Sequence, residues 1–139
     1  MKASKMKKTE VLTELWQHLL SLQKGFAFSK QKKRVRFDNG ESCYLDLEMY
    51  HVPIHSLVLV NVYNGRPAQT QIMQMQRLVE HYNQKEKHDY EGSAIGVVIN
   101  KTKTECWVSY VGVTDEQKRI AERFLALDAF KGNGGDTNG

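Results

Sequence analysis

Asp46, Asn61 and Tyr63 are the residues of this chain whose types and spacing come nearest to a reaction centre. Fourteen residues separate Asp46 from Asn61, and Tyr63 follows two positions later, at the end of the apolar run "LVLVNVYNG". Side chains at i and i+2 of a strand share a face, so Asn61 and Tyr63 are presented together. An Asp on one strand, then fourteen residues, an Asp or Glu, one residue and a Lys on the next, is a layout that builds a metal site for phosphodiester cleavage. Two carboxylates hold Mg²⁺, and the lysine positions or polarises the attacking water. Here Asn61 stands at the second acid and Tyr63 at the lysine. Asn61 keeps a carbonyl oxygen but takes a full negative charge from beside the ion. Tyr63, with an ordinary pKa near ~10, is a neutral hydroxyl at pH 7. Losing one charge-matched group costs about 3 kcal/mol of transition-state stabilisation, so two losses leave little turnover. Asp46 alone remains as a metal ligand, and Mg²⁺ is expected only if the site is active.

Other groups widen the choice. Glu48 is two residues beyond Asp46, about 7 Å along the strand. It is either a second carboxylate of a rearranged site, with Arg66 or Lys24 supplying positive charge, or a solvent-facing acid. Tyr44 and Tyr50 read as strand formers with a wet tip. His51 and His55 flank a loop and lack the further ligands that zinc needs. Met73, Met75 and Leu78 read as core. Cys43 and Cys106 make neither a disulfide framework nor a zinc site.

These residues need elements to position them. Leu12, Leu15, Trp16, Leu19 and Leu20 recur at helical spacing and predict a helix over 10–22. "FAFSKQKKRVRF" reads as one long strand or a hairpin, with Lys32, Arg34 and Arg36 on one face and Lys33, Val35 and Phe37 on the other. "DNG" at 38–40 signals a hairpin turn. In "CYLDLEMY", alternation gives Cys43, Leu45, Leu47 and Met49 an apolar face, and Tyr44, Asp46, Glu48 and Tyr50 a polar one. Residues 57–63 are apolar at nearly every position, which marks a central strand buried on both faces. Pro67 opens a helix running to about Lys87, with Ile72, Met75, Leu78 or Val79, and Tyr82 inward. "SAIGVVIN" and "ECWVSYVGV" are two further strands. Thr114 and Gln117 form a capping box before a last helix carrying Ile120, Phe124 and Leu127. The expected fold is α/β or α+β, a mixed sheet of about five strands flanked by helices. Domain organisation reads as a basic tail over 1–9, a single domain over 10–130 and a disordered Gly/Asn-rich tail over 131–139.

With 139 residues the chain suits one domain, able to bury about two-thirds of its unfolded surface. Its longest apolar stretch is far short of a membrane helix, and Met1–Lys8 carries lysines with no following apolar region. A reducing, cytoplasmic setting without membrane contact is expected. The net charge of +4 is uneven: residues 1–36 hold ten Lys/Arg against two acids, and the rest ten against fourteen. A basic end on a milder body suits a polyanion. Lys30, Lys32, Lys33, Arg34 and Arg36 are therefore candidate contacts to DNA phosphates; the alternative is that they keep an exposed sheet edge soluble. A protein partner or a homodimer is a further possibility.

"LLSLQKGFAF", "CYLDLEMY", "LVLVNVYNG", "IMQMQRLVEHYN" and "AIGVVIN" resemble, in order, the C-terminal nuclease-like domain of the YhcG family, a branch of the PD-(D/E)XK superfamily. The resemblance runs from about Leu19 to Val113 and implies a restriction-endonuclease-like core. It puts Asp46 at the first metal-ligand position, Asn61 where the family has an acid and Tyr63 where it has the lysine. It also puts Ser21 at a common Glu position. Gln74 keeps the Gln of a Q-x-x-x-Y pattern, while Leu78 replaces its Tyr. The resemblance thus implies a vestigial site of Asp46, Glu48, Asn61, Tyr63 and Gln74 in one cleft, on a pseudonuclease that binds nucleic acid or a partner.

Overall fold

The computed structural model describes residues 8–22, 26–51, 55–88, 92–112 and 114–126. The expected 131–139 tail, Lys24, Leu127 and most of the basic 1–9 segment lie outside the described residues. The apolar run becomes β3 (Ser56–Asn64), third of five strands, with Val58 to Val62 buried without interruption. A strand with apolar side chains on both faces is stable only where both faces are covered. Before it come β1 (Phe26–Arg36) and β2 (Ser42–His51), joined in an antiparallel hairpin; β2 pairs antiparallel with β3. Asp38-Asn39-Gly40 makes the turn, with Gly40 at φ +92° and the Glu41 N–H on Asn39 Oδ1 at 2.9 Å. After β3 the chain crosses through α2 (Gln69–His81) to β4 (Ile95–Lys101), which lies parallel to β3. The strand β5 (Cys106–Val111) closes the far edge antiparallel to β4.

Helices cover the two faces. On one face α1 (Lys8–Leu22) and α3 (Asp115–Leu125) bring Val11, Leu15, Ala121 and Leu125 onto Leu47, Met49, Val58, Val60 and Val62. His18 Nε2 donates to the Leu125 carbonyl at 3.0 Å and ties these helices together. Thr114 caps α3: its Oγ1 accepts from the Gln117 N–H at 3.1 Å, and Gln117 Oε1 accepts from the Thr114 N–H at 3.0 Å. On the other face α2 seats Met75, Leu78 and Val79 on Val35, Cys43, Leu45, Leu59 and Val98. Met73, expected in the core, is 52% exposed instead, because the buried stripe of α2 runs through Met75, Leu78 and Val79.

Three element boundaries differ from the sequence pattern. Pro67 does not open α2, which starts at Gln69, where Gln71 Oε1 accepts from the Ala68 N–H at 3.1 Å. The helix gives way at Tyr82 to a π-helical turn, Tyr82–Glu86, closed by the Lys87 N–H on the Tyr82 carbonyl at 2.9 Å. Helix α1 begins at Lys8, two residues before the expected start at Glu10.

The alternation expected along β2 also fails. Cys43 and Leu45 face α2, whereas Leu47 and Met49 face α1. A strand exchanges faces in this way only where its regularity breaks, and the break lies at Asp46. Lys33 pairs with Leu45 and Gln31 with Leu47, so Lys32 lies across from Asp46, and Lys32 has φ +53°. A non-glycine residue in the left-handed region is strained and marks a local irregularity, while the register shift of the β1–β2 ladder lies farther along, between Phe28 and Lys30. The β2–β3 pairing stops at Leu47↔Val60, so one irregularity crosses β1, β2 and β3 at the same level.

Close approach of α2 to the sheet depends on Gly96. A Cβ there would stand 2.7 Å from Met75 Cγ, 2.8 Å from Val79 Cγ2 and 3.0 Å from the Val111 carbonyl. Overpacking of this kind costs about 1–3 kcal/mol. Gly96→Ala should therefore lower the unfolding free energy by that amount, read as a lower urea midpoint with an unchanged m-value.

Candidate functional site

The break is where the candidate residues meet. Past Leu47 and Val60 the strands diverge, and side chains take over the ladder. The Asp46 N–H donates to Asn61 Oδ1 at 2.8 Å, Asn61 Nδ2 donates to the Tyr44 carbonyl at 3.3 Å, and the Val62 N–H donates to Asp46 Oδ2 at 2.9 Å. Asp46 is 3% exposed and Asn61 2%. Buried backbone groups need partners, and these two side chains supply them. The remaining Asp46 oxygen, Oδ1, takes the ammonium of Lys8 at 3.0 Å, from the first turn of α1. The same ammonium lies 5.5 Å from the centre of the Tyr63 ring.

Tyr63 leans the other way, toward α2, and its hydroxyl donates to Gln74 Oε1 at 3.1 Å. Burial pushes the Tyr63 hydroxyl above the ordinary tyrosine range; a hydrogen bond with Asn61 opposes the rise, and the nearby Asp46 and Cys43 add to it. Burial also raises the Cys43 thiol, against the Arg77 guanidinium and a hydrogen bond with Gln74. An open groove of about 490 Å³ lies alongside, lined by Tyr63, Thr70, Gln71, Met73, Gln74 and Arg77. Asp46, Asn61, Tyr63 and Gln74 are thus linked through shared partners.

Glu48 is not linked with them. It is neither the solvent-facing acid nor the second carboxylate that alternation offered. It is 8% exposed and lies under α2, where the Tyr82 hydroxyl donates to Oε1 at 2.5 Å and Lys33 Nζ stands at 3.4 Å. Lys33 also lies 5.0 Å from the centre of the Tyr82 ring. A side chain so held is a core ion pair and leaves the set of candidate phosphate contacts. Lys32, Arg34 and Arg36 are exposed on β1; Lys30 lies on β1 across from Glu48. Arg66, the other cation offered to a rearranged site, pairs with Glu105 at 3.8 Å and lies 5.3 Å from the Trp107 ring centre. Ser21 is thirteen residues along α1 from Lys8, about 20 Å of helix axis away from the end that reaches Asp46. His55 accepts or donates at Nδ1 to the Tyr50 hydroxyl at 3.1 Å.

Three groups were not anticipated from the sequence. Lys8 sat in a segment read as tail. Lys101, at the end of β4, is buried and pairs with Glu14 of α1 at 3.9 Å. Asn100 Nδ2 donates to Gln71 Oε1 at 2.8 Å and to the Arg66 carbonyl at 3.3 Å, while its buried Oδ1 has no protein partner. Each depends on a contact between segments far apart in the chain.

Would these residues hold Mg²⁺? A divalent cation needs oxygen lone pairs turned toward one point. Asp46 has committed one oxygen to a backbone N–H and the other to an ammonium, and Asn61 has committed its oxygen to the Asp46 N–H. Among the described residues no three His, Cys, Asp or Glu side chains group so as to hold a metal. The residues present do not fit the ion.

A mixed sheet with a β-β-β meander, a helical crossover to a parallel fourth strand and helices on both faces defines a restriction-endonuclease-like α+β core. The family model of the YhcG PDDEXK nuclease domain matches residues 2–131, and the chain belongs to that family. No curated protein and no solved structure matches it. No described helix is long and apolar enough to cross a membrane.

Two outcomes test this geometry. Asn61→Asp removes the donor to Tyr44 and buries a second carboxylate beside Asp46. It should cost about 1–3 kcal/mol by urea unfolding at pH 7, a deficit that shrinks on acidification as the new acid is neutralised. Tyr63 and Cys43 are neutral when protonated, and their raised values mean the folded protein keeps protons that the unfolded chain releases. Their contribution is complete below the ordinary cysteine value and is lost as pH climbs past the ordinary tyrosine value near ~10. The melting temperature should fall between pH 9 and 11 on that account, and less steeply in Tyr63→Phe.

Proposed function

We propose that this protein is a non-cleaving member of its nuclease family that binds nucleic acid through the exposed basic face of β1. One observation carries the reading: the acid that would hold the metal has been turned into structure, with Asp46 and Asn61 bridging the gap between β2 and β3 and the Lys8 ammonium standing on the free carboxylate oxygen. Lys8 neutralises Asp46 without a metal. Asn61 supplies an N–H donor that a carboxylate lacks. Tyr63 is a neutral hydroxyl kept protonated by burial and directed at Gln74. The four therefore position strands and helices and neither activate water nor stabilise a leaving oxyanion.

Binding falls to Lys32, Arg34 and Arg36, which are exposed, whereas Lys33 is engaged with Glu48. Cys43 and Cys106 are both buried and form no disulfide, in keeping with a reducing, cytoplasmic setting. A rearranged metal site on Asp46 and Glu48 is disfavoured, because Glu48 is held beneath α2 by Tyr82 and Lys33.

Calorimetric titration with Mg²⁺ or Mn²⁺ should give no saturable binding at the cleft, and plasmid DNA with Mg²⁺ should stay intact. Cleavage that Asp46→Asn abolishes would refute the proposal. Log K for duplex DNA should fall with log salt by about 0.9 for each phosphate contact. Replacing Lys32, Arg34 and Arg36 together with Gln should flatten that slope by about three contacts' worth. Asn61→Asp with Tyr63→Lys should leave the slope unchanged, and an unchanged slope in the triple Gln variant would favour a protein-interaction role.

A further inference from the structure

We infer that the solvent face of the β1–β2 hairpin is a platform for single-stranded nucleic acid, on which Tyr44 stacks against an unpaired base and Arg34 and Arg36 take the neighbouring phosphates. The inference deepens the nucleic-acid reading above and rests on it.

Tyr44 is 62% exposed, and among the described residues only Met73 is another large apolar side chain so open to water. Directly paired residues of an antiparallel ladder share a face. Tyr44 pairs with Arg34, and Arg36 pairs with Ser42. Their neighbours Val35, Cys43 and Leu45 face α2, so Arg34, Arg36, Ser42 and Tyr44 form a patch on the opposite side. Arg34 Nε donates to Ser42 Oγ at 3.2 Å, which holds the guanidinium close to the sheet. The acids nearest the hairpin tip are engaged elsewhere: Glu41 pairs with Arg77 of α2 at 2.7 Å and Asp38 with Lys85 of the π-helical turn at 3.4 Å. The patch is therefore cationic around one open aromatic ring.

That combination selects the ligand. A basic groove alone binds any polyanion, but an aromatic face adds affinity only where a base face is available. In a duplex the base faces are covered by their neighbours; in a single strand they are open. Arg34 and Arg36 are two residues apart on one strand, about 6.6 Å, a separation on the scale of successive phosphates in an extended single strand. The patch adjoins the break in β2, since the Tyr44 carbonyl accepts from Asn61 and Asp46 follows two residues later.

The test is fluorescence-anisotropy titration of the full chain with labelled oligo(dT), oligo(U) and a duplex of equal length, at several salt concentrations. Tyr44→Ala should weaken oligo(dT) binding by at least about fivefold and leave duplex binding unchanged, and Tyr44→Phe should restore it. Because Tyr44 is exposed, the variants should melt like the parent, and a melt confirms this for each. Similar loss on oligo(dT) and oligo(U) assigns the recognition to the base and not the sugar. Arg34→Gln should weaken all three ligands and flatten the salt slope. If Tyr44→Ala weakens the duplex as much as oligo(dT), or weakens neither while Arg34→Gln weakens both, the platform is overturned and the basic-face reading stands. If the parent protein shows no salt-dependent binding to any of the three, the basic-face reading fails and the platform fails with it.

Discussion

The gap between β2 and β3 at Asp46 and Asn61 is the constraint on which the rest of the structure depends. Where two strands separate inside a protein, their N–H and C=O groups lose partners, and leaving them unpaired is costly. Here a carboxylate and an amide fill the gap. The choice has a price in charge, because a buried carboxylate needs a counter-ion. Lys8 meets it, and this settles where α1 must begin and how its first turn lies over the sheet.

A second ionic arrangement mirrors the first on the other face. Glu48 is buried between Lys33 of β1 and the Tyr82 hydroxyl, which the π-helical turn presents at the end of α2. Such turns add one residue to a helical turn and re-aim the side chains around it. Two acids separated by a single residue of β2 thus serve opposite layers, Asp46 the α1 side and Glu48 the α2 side. Neither is available to the other, and the break at Asp46 is the reason.

The main elements could be read from local pattern because local physics sets them. The apolar run of β3, the Asp-Asn-Gly turn and the Thr114/Gln117 cap all act within a few residues, and each forms as its chemistry dictates. The clustering of Asp46, Asn61, Tyr63 and Gln74 was also legible, since it follows from strand pairing and one crossover helix. The irregularity at Lys32 and Asp46 was not, because alternation assumes an unbroken strand and nothing in "CYLDLEMY" marks the break. The fate of Glu48 was set by Tyr82, thirty-four residues away. Lys8, among other lysines and ahead of the leucine pattern, gave no sign that its ammonium would reach Asp46.

The parallel pairing of β3 with β4 sets the tempo of assembly. Val58 lies beside Ile95, whereas β1, β2 and β3 on one side, and β4 and β5 on the other, join through short connections. A meander and a hairpin can each zip quickly from their turns, but uniting them requires closing a long loop before the contact returns any stability. Helix α2 lies within that loop and carries Met75 and Val79, the side chains that seat against Gly96. The chain's folding time is therefore expected to be governed by this one seam, with the cleft around Asp46 and Asn61 beside it completed late.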